Sequence, residues 1–461
     1  MGGVGRFTLE RFTELTFSCS DANKPASPHL YKLTQNSPMR FFLPDSQDLV
    51  DPSFNFERET RSNMRVRHRD DQYAHEVFTS RAYDGILVSK GIVDGFGSAS
   101  GRYTLAQRHR LLRVGAPEFF RVNDKQVPIM GDCGAFSYVR EPMPPYTVEE
   151  VLEFYEECQF QLGISVDHAI LAYQPKLDSL KNIPDAIPKE HLRRQELTLQ
   201  LAKEFITSHK QMGCNFLPVG VAQAWSPHSY REAVRALQKM GYTYIALGGM
   251  VPLKSNEILT CLEAIKDVLA ANTRLHLLGV TRIEHVAAFS SYGVGSFDST
   301  SPLMQAFKDE KDNYYAPDRT YIAIRVPQVE GNPQLQRRIA SGQVSQERAR
   351  HLEKACLNAL RCYDKGEFSL DETLDAVLAY DSFCESGKDH REAYRTVLAD
   401  RPWKHCPCDI CVRLGYQVIL FRGAERNRRR GLHNVWVFYR KLQKELNLKS
   451  SESVQTEAAS N

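Results

Sequence analysis

Cys406-Pro-Cys408-Asp-Ile-Cys411, with His433 22 positions further on, gathers three thiols and an imidazole near the end of the chain. Donors of that softness at that spacing suit a tetrahedral structural zinc site, one Zn2+ per chain, with Cys406, Cys408, Cys411 and His433 as ligands. Three of the 11 cysteines fall within six residues, which argues against an accidental grouping. Four protein ligands leave no coordination position for water or substrate. The metal therefore holds a subdomain together, a zinc-dependent hydrolase is excluded, and the chemistry lies elsewhere.

A second set of reactive groups is carboxylate. Asp132 follows an apolar run in Met-Gly-Asp-Cys-Gly-Ala-Phe, Asp167 closes Gly-Ile-Ser-Val-Asp-His, and Asp298 closes Gly-Ser-Phe-Asp ahead of Ser-Thr-Ser-Pro. Three carboxylates converging on one rim can hold a donor-rich heterocycle, stabilise a developing cation, and push an acid and a base apart in pKa. An Asp after a strand also caps the next helix, and that plainer role stays open, most of all for Asp167. His168 reads as a packing or hydrogen-bonding residue. Uncharged groups end two further runs, Gln223 in Gly-Val-Ala-Gln-Ala and the pair Gly248-Gly249.

These groups need a scaffold that brings strand ends together. Apolar runs at 39–43, 83–89, 127–130, 164–166, 216–221, 244–247, 275–278 and 294–297 read as eight strands. Amphipathic segments separate the later ones. Over 147–162, Val148, Val151, Leu152, Tyr155, Cys158 and Leu162 share one helical face. Thr147 with Glu150, Ser229 with Glu232, and Thr281 with Glu284 have capping-box spacing, and Gly241 ends the helix begun at Ser229. The alternation predicts an α/β fold, a (β/α)8 TIM barrel, with a doubly wound open sheet as the arrangement that periodicity alone leaves standing. The boundaries expected are an N-terminal extension at 1–30, the barrel at 31–330, a helical region with the zinc-binding subdomain at 331–448, and a disordered tail at 449–461. A polar stretch from 45 to 82 reads as an elaborated loop inside the barrel domain.

At 461 residues, with 42% hydrophobic and 25% charged residues, the chain has the composition of a soluble globular protein. No run of about 18 apolar residues crosses a membrane, and the N-terminus lacks an apolar signal core. Scattered cysteines, odd in number, fit a reducing cytoplasm. The net charge of +3 gives no global basic field. Locally, Arg61, Arg65, Arg67 and Arg69 cluster, and Arg422, Arg426, Arg428, Arg429 and Arg430 form a denser group beside His433. Five guanidiniums in nine residues either follow a nucleic-acid phosphate backbone or belong to an acid-paired surface.

Six landmarks in order resemble the tRNA-guanine transglycosylases. Asp132-Cys-Gly-Ala-Phe136 is similar to their Asp-Ser-Gly-Gly-Phe/Tyr, Gly220-Val-Ala-Gln223-Ala to Gly-Ile-Gln-Gln-Gly, Leu247-Gly-Gly-Met250 to Val-Gly-Gly-Leu, and Leu278-Gly-Val-Thr281 to Met-Gly-Val-Gly. Phe297-Asp298-Ser-Thr-Ser-Pro302 is similar to Phe-Asp-Cys-Val-x-Pro, and the zinc cluster follows the barrel at nearly the family spacing. The resemblance covers roughly residues 85 to 440. It implies that Asp298 is the nucleophile at an anomeric carbon and that Asp132 is the acid/base. It also implies that Asp167, Gln223 and the Gly248-Gly249 backbone read the edge of the base, and that Phe136 and Leu278 sandwich its faces.

Two departures matter. The family continues Pro-Thr-Arg after the nucleophile, whereas this chain reads Pro302-Leu-Met-Gln-Ala-Phe, so a residue that grips the anticodon loop is missing. The 45–82 elaboration is also unusual. Phe42-Leu-Pro-Asp45, Asp51-Pro-Ser-Phe and Gly-Ile-Ser-Val-Asp-His look like the DNA-acting 7-deazaguanine branch. That branch implies exchange of guanine in DNA for a 7-deazaguanine such as 7-cyano-7-deazaguanine (preQ0), through a covalent aspartyl-nucleotide, with a partner ATPase in the bacterial system. The alternatives are exchange in tRNA and a catalytically silent nucleic-acid-binding subunit. The oligomeric state stays open, a homodimer included.

Overall fold

The eight apolar runs form eight parallel strands in a closed barrel, each hydrogen-bonded to the next in sequence. They are β1 Arg40–Pro44, β2 Gly85–Ser89, β3 Ile129–Asp132, β4 Leu162–Ile164, β5 Leu217–Ala222, β6 Tyr244–Leu247, β7 Arg274–Leu277 and β8 Val294–Asp298. The computed structural model describes residues 38–97, 101–122, 127–180, 185–309, 311–384 and 387–458, with side chains through 447. The N-terminal extension expected at 1–30 lies outside the described residues. β1 pairs with β8, Phe42 opposite Asp298, so the sheet has no free edge and the open doubly wound alternative is excluded.

Strands buried on both faces explain why the runs are continuous rather than alternating. Inward-facing Phe42, Leu87, Met130, Leu162, Ile164, Val219, Val221, Tyr244 and Ala246 fill the barrel, and a larger apolar layer lies between the strands and the outer helices. The helix Val148–Glu157 carries the expected Thr147–Glu150 capping box. It stops short of 162, because Leu162 belongs to β4. The helix Pro227–Met240 starts three residues before the expected position: Ser226 is the cap, and its hydroxyl accepts from the Ser229 amide at 3.2 Å. Gly241 ends that helix in a left-handed conformation (φ 103°). Thr281 caps nothing; a turn of 3-10 helix, Ile283–His285, leads into the helix Val286–Ser291.

Beyond the barrel come the helices Pro333–Ala340, Gln346–Lys365, Leu370–Phe383 and Arg391–Asp400, and then the long helix Gly423–Ala458. That last helix runs into the tail expected to be disordered, and 459–461 lie outside the described residues. Leu420–Phe421 pairs with Ile324–Arg325, which ties this region to the chain leaving the barrel. No described helix is long and apolar enough to cross a membrane.

The arginine cluster corrects one expectation. Arg422, Arg426, Arg429 and Arg430 are buried, not presented to a phosphate backbone. Glu59 of the elaborated loop pairs with Arg422 and Arg426 at 2.6 and 2.5 Å. Glu353 takes the other side of Arg422 at 2.6 Å. Glu425 binds Arg429 at 2.6 Å and Arg61 at 2.9 Å. Arg430 donates to the carbonyls of Leu420 (2.8 Å) and Ala306 (2.6 Å). Arg428, a quarter exposed, also bonds Glu425, at 3.2 Å. Buried guanidiniums must be paired and hydrogen-bonded. Here they clasp the 45–82 segment to the last helix, and the dense run of arginines belongs to the interior.

Candidate active site

The C-terminal ends of the strands converge on one rim, and the three carboxylates stand there: Asp132 as the last residue of β3, Asp298 as the last of β8, and Asp167 just past β4. All three sit in a low-dielectric setting, and each is held differently. Asp132 Oδ2 accepts from the Gly134 amide at 3.0 Å, and the Ser89 hydroxyl at the end of β2 bonds the same carboxylate. Burial first, then the charges of Asp167 and Asp298, push Asp132 up to about 7. That places the Asp132 carboxyl on the acid/base scale needed near neutrality.

Asp167 is gripped from two sides. The Cys133 thiol lies 3.1 Å from its Oδ1, and Gln223 Nε2 donates to Oδ2 at 2.6 Å. Burial lifts its pKa to about 6, against the opposing pull of those two donors. Tyr138 steadies the arrangement: the single proton of its hydroxyl is shared between Cys133 Sγ (3.0 Å) and the Asp167 carbonyl (3.1 Å). Burial, with Asp167 and Asp132 alongside, raises the Cys133 thiol well above its ordinary value. It is a neutral donor here, not a nucleophile. Gln223 Oε1 accepts from the Ile170 amide at 3.0 Å, so one amide hydrogen of Gln223 remains for a ligand.

Gly248 packs so tightly on Gln223 that a Cβ there would lie 2.0 Å from its Nε2. Its amide donates to the Ala222 carbonyl (3.0 Å) and its carbonyl accepts from the Tyr230 hydroxyl (2.6 Å). Gly248 is thus committed to the scaffold, which narrows the expected backbone readout to Gly249. Phe136 stands on the rim after β3 with 72% of its surface exposed, while Leu278 is half-buried against the barrel interior. An exposed ring on the 3-10 turn Ala135–Tyr138 offers a flat apolar face to a planar ligand.

Asp298 Oδ1 receives two donors, His276 Nε2 and the Gly279 amide, both at 3.1 Å. Gly279 has φ +73°, and a Cβ there would lie 2.6 Å from Val251 Cγ2, so the amide reaches Asp298 only because the residue is glycine. Ser89, Cys133, Tyr138, His276 and Ser296 were not singled out from the sequence. The signal available for the last was two-residue spacing along one strand, which puts Ser296 and Asp298 on the same face of β8.

Away from the rim, Cys406, Cys408 and Cys411 gather around His433, with their sulfurs 3.6, 3.4 and 3.4 Å from Nδ1. All four donor atoms lie within 4.8 Å of one another, a group able to hold a metal ion. His433 Nε2 donates to the Tyr315 carbonyl at 2.8 Å, which turns Nδ1 toward the thiols, and Tyr314 stacks on the ring at 4.2 Å. This outer bond is the usual way a ligating imidazole is fixed.

A family description, queuine tRNA-ribosyltransferase, matches residues 123–318. The chain is 51% identical over 420 residues to a DNA-guanine transglycosylase of Salmonella montevideo, a match covering 90% of this chain and 99% of that protein. It is also 27% identical over 218 residues to a tRNA-guanine(15) transglycosylase of Thermococcus onnurineus (strain NA1), covering 46% of this chain and 34% of that one.

Proposed function

We propose a reaction from the premise that this chain belongs to the queuine tRNA-ribosyltransferase family, in its DNA-guanine transglycosylase branch. The substrate is guanine in DNA, and the incoming base is a 7-deazaguanine such as preQ0. The observation that carries the reading is the Asp132–Asp298 pair. Both end strands at the same rim of the barrel, and burial together with the charges of Asp167 and Asp298 raises Asp132 to about 7.

The target guanine leaves the base stack, which costs a few kcal/mol, and enters the barrel mouth. Phe136 and Leu278 cover its faces, and Asp167, the remaining Gln223 hydrogen and Gly249 meet its polar edge. Asp298 forms a bond to C1′ as the C1′–N9 bond breaks, and its charge supports the cationic character that develops at the sugar. Protonated Asp132 delivers a proton to the departing guanine. The deazaguanine then takes the vacated place and loses its N9 proton to Asp132. Its N9 attacks C1′ and releases the Asp298 carboxylate. Two inversions give net retention.

Cys406, Cys408, Cys411 and His433 fit one Zn2+ by donor type and by the oriented imidazole, and its contribution is structural, because no open position remains. Metal analysis of the purified chain should return one zinc, and Cys408→Ser should lose it. Among the described residues every cysteine is free, which suits the reducing cytoplasm. An ATPase of the same modification system is the partner implied by the branch.

Purified protein incubated with labelled base and either plasmid DNA or tRNA tests the substrate: label in DNA is expected, and label only in tRNA overturns the reading. The same assay without further proteins tests whether the ATPase is required. Asp298→Asn should abolish the covalent DNA adduct. Wild-type exchange by that variant would remove Asp298 from its role.

A further inference from the structure

Building on Asp298 as the nucleophile, we propose that Tyr244, Ser296 and His276 form a polar column inside the barrel. The column locks His276 as the neutral Nε2–H tautomer, pins Asp298 by Oδ1, and so leaves Oδ2 as the attacking atom. Tyr244 on β6, His276 on β7 and Ser296 on β8 are all buried. The Tyr244 hydroxyl meets Ser296 Oγ, Ser296 Oγ lies 2.5 Å from His276 Nδ1, and His276 Nε2 lies 3.1 Å from Asp298 Oδ1.

The register makes this alignment. Leu275 pairs with Val294 but His276 with Ser296, so β8 carries one extra residue at that point. Such irregularities re-aim side chains beside functional sites. Phe42 abuts the imidazole edge-on, with ring centres 6.1 Å apart, and fixes its plane.

Counting hydrogens selects one protonation state. Asp298 Oδ1 accepts, so His276 Nε2 carries a proton. In neutral His276, Nδ1 then accepts from the Ser296 hydroxyl, and Ser296 Oγ accepts from Tyr244, so every donor and acceptor in the column is used once. In an imidazolium, Nδ1 would donate to Ser296, Ser296 would turn to Tyr244, and the buried Tyr244 hydroxyl would lose Ser296 as its acceptor, at a cost of roughly 1–3 kcal/mol. The tautomer is therefore set by the bond made at the other ring nitrogen. Burial raises the Tyr244 hydroxyl to about 12, so it keeps the proton that the column starts from. Three polar side chains buried inside a barrel are costly unless mutually satisfied. Their line ends on one oxygen of the nucleophile.

Full-length, zinc-loaded protein labelled with 15N-histidine tests this, with His276→Gln identifying the signal. An unprotonated Nδ1 and a protonated Nε2 across the active pH range are expected. Ser296→Ala should broaden or split that signature and slow DNA-adduct formation ~10- to 100-fold, the scale of losing a supporting bond, with KM for DNA unchanged. Ser296→Thr, which keeps the hydroxyl, should recover most of the lost rate. An imidazolium or an Nδ1–H tautomer in the wild type overturns the lock. So does Ser296→Ala with a wild-type adduct rate. If Asp298→Asn still exchanges base while the tautomer is as expected, the reading of Asp298 fails and the attacking-atom assignment falls with it.

Discussion

Gln223 Nε2 lies 2.6 Å from Asp167 Oδ2, so the two side chains proposed to meet the base already hold one another. The pocket is ordered in advance, and a ligand must share this bond rather than create it.

Base affinity should follow the charge on Asp167. Burial raises this carboxyl to about 6, so below that pH it is protonated and meets the N–H edge of a guanine or deazaguanine with one fewer acceptor. Binding should strengthen as pH rises through about 6 and then level off. Asp167→Asn should remove that dependence and weaken the base ~10- to 100-fold, the value of a hydrogen bond to a charged group. Calorimetric titration of the free base across pH checks both.

Adduct formation should have the opposite slope. In the proposed mechanism Asp132 is protonated when guanine leaves, and burial with the charges of Asp167 and Asp298 raises its pKa to about 7. The single-turnover rate should fall with increasing pH above about 7. Asp132→Asn should flatten that limb and cost ~10²–10⁴ in rate. Stability gives a second readout. An acid raised from 3.8 to about 7 binds more protons folded than unfolded, so its contribution is full below about 4 and is lost as pH rises to about 7. Asp132→Asn should therefore gain stability relative to wild type at pH 8 and not at pH 4, as followed by urea unfolding.

Glu59 is the hinge of the arginine clasp. Against the upward push of burial, the hydrogen bonds from Arg422 and Gln328 and the charges of Arg422 and Arg426 take its carboxyl down to about 2. Glu59→Gln should destabilise by ~3 kcal/mol, because buried Arg426 loses its carboxylate and Arg422 keeps only Glu353. The wild-type contribution should persist above about pH 4.5 and fade toward pH 2. Changed salt dependence of DNA binding with unchanged stability would instead restore the phosphate-contact reading of these arginines.

Phe136 separates stacking from scaffolding. It is largely exposed, so Phe136→Ala should leave the unfolding midpoint within ~0.5 kcal/mol of wild type. Base affinity should fall by ~1–3 kcal/mol, the value of an aromatic stacking partner. A fall in stability with intact base binding would make Phe136 a packing residue.

The barrel was legible because strands covered on both faces leave unbroken apolar runs, and all eight appear in the expected order. Boundaries were less so. The apolar face of the helix Val148–Glu157 continues in the sequence to Leu162, and only the strand pairing of Met130 with Leu162 assigns that residue to the sheet. Ser226-Pro-His-Ser229 offers two adjacent caps, and Pro227 at the first helical position decides for the earlier. Among site residues, the rim carboxylates stood out as charges after apolar runs. His276 and Ser296 did not, because their meaning lies in a register shift between two strands. The arginines misled because density along the chain says nothing of partners such as Glu59, 363 residues before Arg422.

That separation has a temporal meaning. At ~5–20 residues per second of synthesis, Glu59 leaves the ribosome some 20 to 70 s before Arg422. β1, the first strand of the cylinder, likewise waits for β8. The nascent chain carries a loop still waiting for its arginine partners and an unpaired strand edge through most of its translation, so heat shock or chaperone depletion during synthesis should harm yield far more than the same stress applied to the finished enzyme.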